Sequence, residues 1–474
     1  MSLTATPTII RHKLPLTVCL AALLVSTSGC ASIARSTYSA PQLPVEAAWQ
    51  QAASGPIARQ TGPWWDEFGD AELSALVDRV LEQNADLAAA GIRLRQARMS
   101  ARLAASQMLP TLGTSASTGA SHELDGSASW NESSSASLGA SWEVDLFGRL
   151  DAERDAAHWE AAASERDLAA TRLSLVGTTV SAWWQLAYAN ERIAISERTL
   201  SYSRKKLELV QKQFDAGAVP RLDLREAEQT VASQEASLSQ LEQSRAETRN
   251  ALAALLGRQV YDGPERTELP HADLPSVDAG VPAELLARRP DLSASELRLR
   301  KALASSDATA ASYYPKLSLT GSLGTASSSL LSILSNPVAS LGAALSLPTL
   351  NPDRIRLGTG IARADYEAAV QQFRQDFYDA LRDTANALSA RQHYQQQGEA
   401  LQRSLDAAKD AEGLYARQHA AGAVALRSWI DALERLRSAE SSVSENRLNQ
   451  LNAQVALYQA LGGGAVMPPE NADQ

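Results

Sequence analysis

One spacing governs this chain: it is written twice, 205 residues apart. Phe214-Asp215-Ala216-Gly217-Ala218-Val219 returns as His419-Ala420-Ala421-Gly422-Ala423-Val424. The same step carries Leu256-Gly257 onto Leu461-Gly462 and Leu109-Pro110 onto Tyr314-Pro315. Three landmarks at one displacement point to a duplicated architecture. After each glycine comes a series of residues spaced by seven. Leu224, Val231, Leu238, Arg245 and Leu252 match Trp429, Leu436, Val443, Gln450 and Leu457, and both series turn polar at the fourth position. Such a sustained repeat is a coiled-coil-like seam.

Before each glycine lies a much longer helical stretch. Residues 150–214 contain no proline, and Leu186, Ile193, Leu200, Leu207 and Phe214 again step by seven. Residues 354–419 also lack proline. At about 1.5 Å per residue each helix is about 100 Å long, the length of a strut or a tube wall. A shorter helical stretch opens each half, over 70–107 and 283–312, with Pro290 breaking or restarting the second. Proline and glycine at short intervals mark a linker between the halves.

Between the helices the period changes from seven to two. Leu138, Ala140, Trp142, Val144 and Leu146 alternate with Ser137, Gly139, Ser141, Glu143 and Asp145. Leu317, Leu319, Gly321 and Leu323 alternate with Ser318, Thr320 and Ser322; Leu341, Ala343, Leu345 and Leu347 alternate with serine, glycine and alanine. Residues 111–122 form a weaker fourth candidate. Period two with one apolar face is the pattern of β-strands, and about ten residues is the length of a tilted membrane-spanning strand. Four strands cannot close a barrel, and open edges are forbidden in lipid, so the chain must pool strands with copies of itself. Two copies supply eight strands and three supply twelve. Trp130 and Trp142 are expected at membrane interfaces.

The N-terminus reads as an export signal. Arg11-His12-Lys13 precedes a short apolar run, residues 14–25, and then Thr27-Ser28-Gly29-Cys30. Small residues before a cysteine resemble a lipoprotein cleavage site that leaves Cys30 lipid-modified, although Thr27 stands where leucine is preferred. Ala31 favours the outer membrane over the inner. The two cysteines, Cys19 and Cys30, leave no disulfide framework or cysteine metal site downstream.

The net charge of −10, with both signs interspersed, argues against a nucleic-acid partner. No phosphate-binding loop, Gly-x-Ser-x-Gly elbow or His-Glu-x-x-His is present, and the six histidines fall in no ligand spacing. Neither catalysis, cofactor nor metal is therefore expected.

These residues together resemble the outer-membrane factor family of tripartite efflux pumps, in its lipoprotein branch. The resemblance rests on Trp64-Trp65, Phe68 and Asp70; on Glu143-Val144-Asp145-Leu146-Phe147-Gly148-Arg149; on Ala287-Arg288-Arg289-Pro290-Asp291-Leu292; and on the turns at Gly217 and Gly422. It implies an α+β membrane protein, a homotrimer in which a 12-stranded transmembrane β-barrel continues into a long α-helical barrel. Its partners would be a periplasmic adaptor and an inner-membrane pump. The implied divisions are a signal peptide over 1–29, a lipidated extended segment over 30–69, a first repeat over 70–257, a linker over 258–281, a second repeat over 282–462 and a tail over 463–474. The resemblance also places gate carboxylates just past the tip turns. Glu226 and Asp431 are the matching positions, with Asp223 beside them; Ser428 stands where some relatives carry an acid. Arg427, four residues before Asp431, is a candidate ion-pair partner, as are Arg221 and Arg225 for the first-half acids. Rival readings are a periplasmic adaptor lipoprotein, an envelope enzyme and a duct for protein secretion.

Overall fold

The computed structural model describes residues 35–44, 49, 63–122, 130–277, 288–327, 337–348 and 351–463. A 3-10 turn over Trp64–Phe68 precedes helices α1 (Ala71–Gln83) and α2 (Ala85–Ser106). Strands β1 (Thr111–His122) and β2 (Trp130–Val144) follow, then α3 (Arg149–Asp215) and α4 (Arg221–Leu255). The second half repeats the order with α5 (Pro290–Ala311), β3 (Lys316–Ser327), β4 (Pro337–Ser346), α6 (Pro352–Ala420) and α7 (Leu426–Ala460). The two long helices run 67 and 69 residues.

The chain forms two compact units, each built from both repeats. The first comprises Met1–Gln42, Arg95–Ala163 and Glu296–Phe373; the second comprises Leu43–Leu94, Ser164–Ser295 and Arg374–Gln474. Packing thus divides the molecule differently from the sequence duplication.

The first unit holds an antiparallel sheet in the order β1-β2-β3-β4. Its register pairs Leu138 with Leu323, Trp142 with Leu319 and Leu317 with Leu345, so the apolar residues of the four strands share one face. That face is open: Leu341 is 94% exposed and Leu112 76%. The opposite face is lined with hydroxyls that bond across strands, Ser115 to Ser137 at 2.8 Å, Ser117 to Ser135 at 2.8 Å and Ser322 to Ser340 at 2.7 Å. Each of β1 and β4 has one neighbour in the sheet, leaving its outer edge unpaired among the described residues.

The junction from β2 into α3 explains the sequence that encodes it. Asp145 accepts the backbone N–H of Asp151 at 2.8 Å, capping the new helix. Gly148 takes φ 74°, a left-handed conformation that disfavours a side chain. Arg149 grips Glu143 and Glu153, each at 2.7 Å, and Phe147 stacks on Tyr314 at 4.8 Å. An N-terminal strap lies in the same unit. Arg35 pairs with Asp151 and Asp155, the Ser36 hydroxyl donates to Asp307 at 2.7 Å, and Tyr38 donates to Glu296 at 3.2 Å. Arg300 lies over the rings of both Tyr38 and Trp159, at 4.9 and 5.2 Å.

The second unit carries a core of aromatic and aliphatic side chains. Trp64 stacks on Tyr458 at 4.7 Å, and Trp183, Trp184, Phe377, Leu73 and Leu252 are fully buried around them. The helical stretch expected over 70–107 is two helices. Asn84 ends α1 and caps α2, accepting from the N–H groups of Asp86 and Leu87 while its amide donates to the Leu255 carbonyl at 2.9 Å. An asparagine bonding its own following backbone competes with helix continuation, and here it wins.

Candidate functional site

The distal ends of the two helical hairpins are built alike. At the first, Gly217 takes φ 70° and donates to the Phe214 carbonyl at 2.8 Å, while Ala218 donates to Gln213 at 2.8 Å. At the second, Gly422 takes φ 72°, donating to His419 at 2.9 Å, and Ala423 donates to Gln418 at 2.9 Å. These are helix terminations that need a left-handed residue, which is why glycine recurs at both. Extended Pro220 and Ala425 then start the return helices.

Asp223 and Glu226 lie in the first turns of α4, and Asp431 in the second turn of α7. Glu226 is exposed, whereas Asp223 and Asp431 are half-buried. Among the described residues none of the three forms an ion pair within the chain. Arg427 is exposed and does not bond Asp431, contrary to the expected pairing. A cation placed N-terminal to its acid is the weaker orientation of such a pair, and the aspartate side chain is short. Arg225 likewise turns away from Asp223 and Glu226 to bond Glu228, three residues on along the same helix face. Glu226 instead borders a polar groove with Arg192, Ser196, Thr230, Glu434 and Arg437.

The second tip carries a lock that the sequence reading missed. The Trp429 indole donates to Glu412 at 2.8 Å and stacks on His419 at 5.5 Å. In the first hairpin the equivalent positions are Leu224, Leu207 and Phe214, so the duplicated tips differ in chemistry. The offset that aligns the halves also exposes this difference.

The linker between the repeats is the other unexpected feature: it clasps both hairpins. On the first, Glu191 accepts the Leu269 N–H at 2.9 Å, Asn190 donates to the Arg266 carbonyl at 2.8 Å, and Arg249 pairs with Glu265 at 2.6 Å. On the second, Arg447 donates to the carbonyls of Pro270, at 2.6 Å, and Ala272; Arg391 and Gln454 both donate to Pro275 at 3.0 Å. Burial lowers the guanidinium pKa of Arg391 and of Arg447. Next to this clasp, Asn446 and Gln450 of α7 both reach the Tyr394 carbonyl of α6, at 3.2 and 3.1 Å. Gly398 admits them, since a Cβ there would collide with both amides. Gln450 is the polar break of the second seven-residue series.

Cys30 lies outside the described residues. Among those described, no helix is long and apolar enough to cross a membrane, and no cluster of three or more His, Cys, Asp or Glu is placed to hold a metal.

Comparison with known proteins places this geometry. The family described as "Outer membrane efflux protein" is matched twice, over residues 76–258 and 281–463, the same displacement of 205 that relates the two tips. The chain is 34% identical over 466 residues to the pyoverdine export outer membrane protein OpmQ of Pseudomonas putida, covering 95% of this chain and 98% of that one. It is 29% identical over 456 residues to the toluene efflux pump outer membrane protein TtgI of Pseudomonas putida, covering 93% and 97%. The solved open state of the Neisseria gonorrhoeae MtrE outer membrane channel superposes with a TM-score of 0.82 at 28% identity, over 91% of this chain and 98% of that one. With its unpaired sheet and paired long hairpins, this chain belongs to the outer membrane efflux protein family and is an outer-membrane channel subunit.

Proposed function

We propose that three copies of this chain assemble into one duct, and that it conducts small molecules passively from an inner-membrane pump and periplasmic adaptor to the exterior. The observation that carries this reading is the four-stranded sheet with an exposed apolar face and two unpaired edges. Such a sheet is unsatisfied in water and in lipid alike until other strands cover both edges. Two copies give eight strands, whose interior is filled by side chains; three give twelve and leave a passage. The hydroxyl-lined face then borders water and the leucine face borders lipid. Trp130 and Trp142 lie twelve residues apart on the leucine face. At about 3.3 Å per residue and a tilt of roughly 40° that separation is about 30 Å, the thickness of the hydrocarbon layer.

Asp431, Glu226 and Asp223 would form acidic rings around the pore near its tips, narrowing it at rest and favouring cations. No catalytic step is assigned to the chain; the work of transport falls to the pump. Cys30 would bear the lipid that fastens the N-terminus to the outer membrane. The cargo would be drugs or other small molecules. OpmQ is named for pyoverdine and TtgI for toluene.

Light scattering of the purified protein tests the assembly, with cysteine pairs placed on β1 and β4. A trimer whose neighbouring chains crosslink is expected; a monomer, or a dimer of eight strands, would refute it. Labelled palmitate is expected in the wild type and not in Cys30→Ser.

A further inference from the structure

A cavity of about 360 Å³ lies beside the linker clasp, and the conduction pathway gives it no role. Its volume is within the range of small-ligand sites. Both hairpins wall it: Ile195 from α3, Leu405 from α6 and Val443 from α7 join Leu269 of the linker in an apolar lining.

Three carboxylates line the cavity, those of Glu191, Glu268 and Glu440. Glu440 is paired with Arg437 at 2.9 Å, and among the described residues Glu191 accepts only the Leu269 N–H, a neutral donor. Glu268 stands at the rim, and its carboxylate has no partner among the described residues. Arg198, Arg447 and His271 line it as well. Arg447 spends its donors on the carbonyls of Pro270 and Ala272 and on Gln450, and Arg198 is exposed. Ser444, only 3% exposed, also lines the cavity, and its hydroxyl has no hydrogen-bond partner among the described residues. A buried hydroxyl left unpaired is costly, so a ligand that bonds it gains what the fold leaves unmade.

We propose that this cavity binds a small organic cation, an ammonium that bonds Ser444 and the Glu191 and Glu268 carboxylates while its apolar arm lies against Ile195, Leu269, Leu405 and Val443. Charge-assisted hydrogen bonds supply direction and the apolar wall supplies area. Because α3 belongs to one hairpin and α6 and α7 to the other, a bound cation ties the two hairpins at the level of the clasp.

The test is equilibrium dialysis of phenethylammonium against the purified full-length oligomer, with empty micelles as the blank. Neutral 2-phenylethanol and anionic phenylacetate have the same ring and serve as comparisons. The amine is expected to saturate at one site per chain and to bind at least tenfold more tightly than the alcohol. Glu268→Gln is expected to weaken it about tenfold and Ser444→Ala about fivefold, with both variants retaining the wild-type oligomer on gel filtration. Glu208→Gln, on the exposed arm of α3 and paired with Lys212, is expected to bind as the wild type does. Absence of saturable amine binding, equal binding of the alcohol, or an unchanged affinity in Glu268→Gln would overturn the proposal. Each of these outcomes is read without conduction, so the channel reading stands or falls separately.

Discussion

The indole N–H of Trp183 donates to Oδ2 of Asp70 at 3.1 Å, joining residues 113 positions apart. The same oxygen takes the Arg266 guanidinium at 2.9 Å, and Oδ1 caps α1 through the N–H groups of Glu72 and Leu73, both at 3.1 Å. One buried carboxylate therefore fastens the first helix, the long helix α3 and the linker. Removing it leaves the half-buried Arg266 guanidinium and the buried Trp183 indole unpaired at once. Asp70→Ala is expected to cost about 2–4 kcal/mol, from a lost helix cap and an indole left unpaired in the core. Thermal denaturation of the detergent-extracted protein measures it; a midpoint equal to wild type would mean that these bonds are replaced by water at little cost.

Adjacent positions on β2 should respond in opposite ways to one charge. Leu138 is on the apolar face and Ser137 on the hydroxyl face. Leu138→Lys places an ammonium in lipid, at about 2–4 kcal/mol near the midplane, and is expected to deplete the assembled protein from the outer membrane. Ser137→Lys is expected to assemble normally and to shift the reversal potential toward anions. The reverse pattern would invert the assigned faces.

The strands and the long helices were legible because their signals repeat: a period of two with serine opposite leucine, a period of seven along the seams, and one displacement linking the halves. Both tip glycines were legible for the same reason, since a left-handed φ admits few other residues. What stayed hidden depends on single side chains meeting partners distant in sequence. Nothing around Asn84 announces a helix break, because its second bond goes to the Leu255 carbonyl. The linker read as turns and prolines, yet Pro270, Ala272 and Pro275 act through their carbonyls, which carry no residue signature. The Arg427–Asp431 pairing followed from spacing alone, and spacing does not fix a rotamer.

Tyr261 links alkaline pH to stability. It is buried and donates to the Pro264 carbonyl at 2.7 Å. Burial, opposed by Arg79 and reinforced by Glu265 and Glu72, pushes its hydroxyl from 10.0 up to about 12. Between these values the unfolded chain releases a proton that the folded chain keeps, so stability falls as pH rises from 10 to 12 and is unaffected below. The loss from this residue is at most about 2.7 kcal/mol. Tyr261→Phe is expected to cost about 1 kcal/mol at neutral pH, for the missing hydrogen bond, and to flatten the decline above pH 10. Parallel slopes for the two proteins would remove Tyr261 as the cause.

Charge and packing are separable at the tips. Among the described residues Asp431 and Glu226 form no ion pair inside one chain, so if they ring the pore of a trimer any restraint they supply must come from a neighbouring chain. The Trp429 indole, by contrast, is tied to Glu412 within its own hairpin. Planar-bilayer recordings of Glu226→Gln/Asp431→Asn remove charge at nearly constant size, and Glu226→Ala/Asp431→Ala remove both. If inter-chain charge contacts hold the tip, both double variants are expected to raise single-channel conductance several-fold and to lower cation preference. Arg427→Ala, whose guanidinium bonds neither acid within its own chain, is expected to raise conductance likewise if it is the cation that meets them from a neighbouring chain. A conductance unchanged in both double variants would exclude these carboxylates from the gate. A rise confined to the alanine pair would assign closure to packing, and Trp429→Ala should then open the channel on its own.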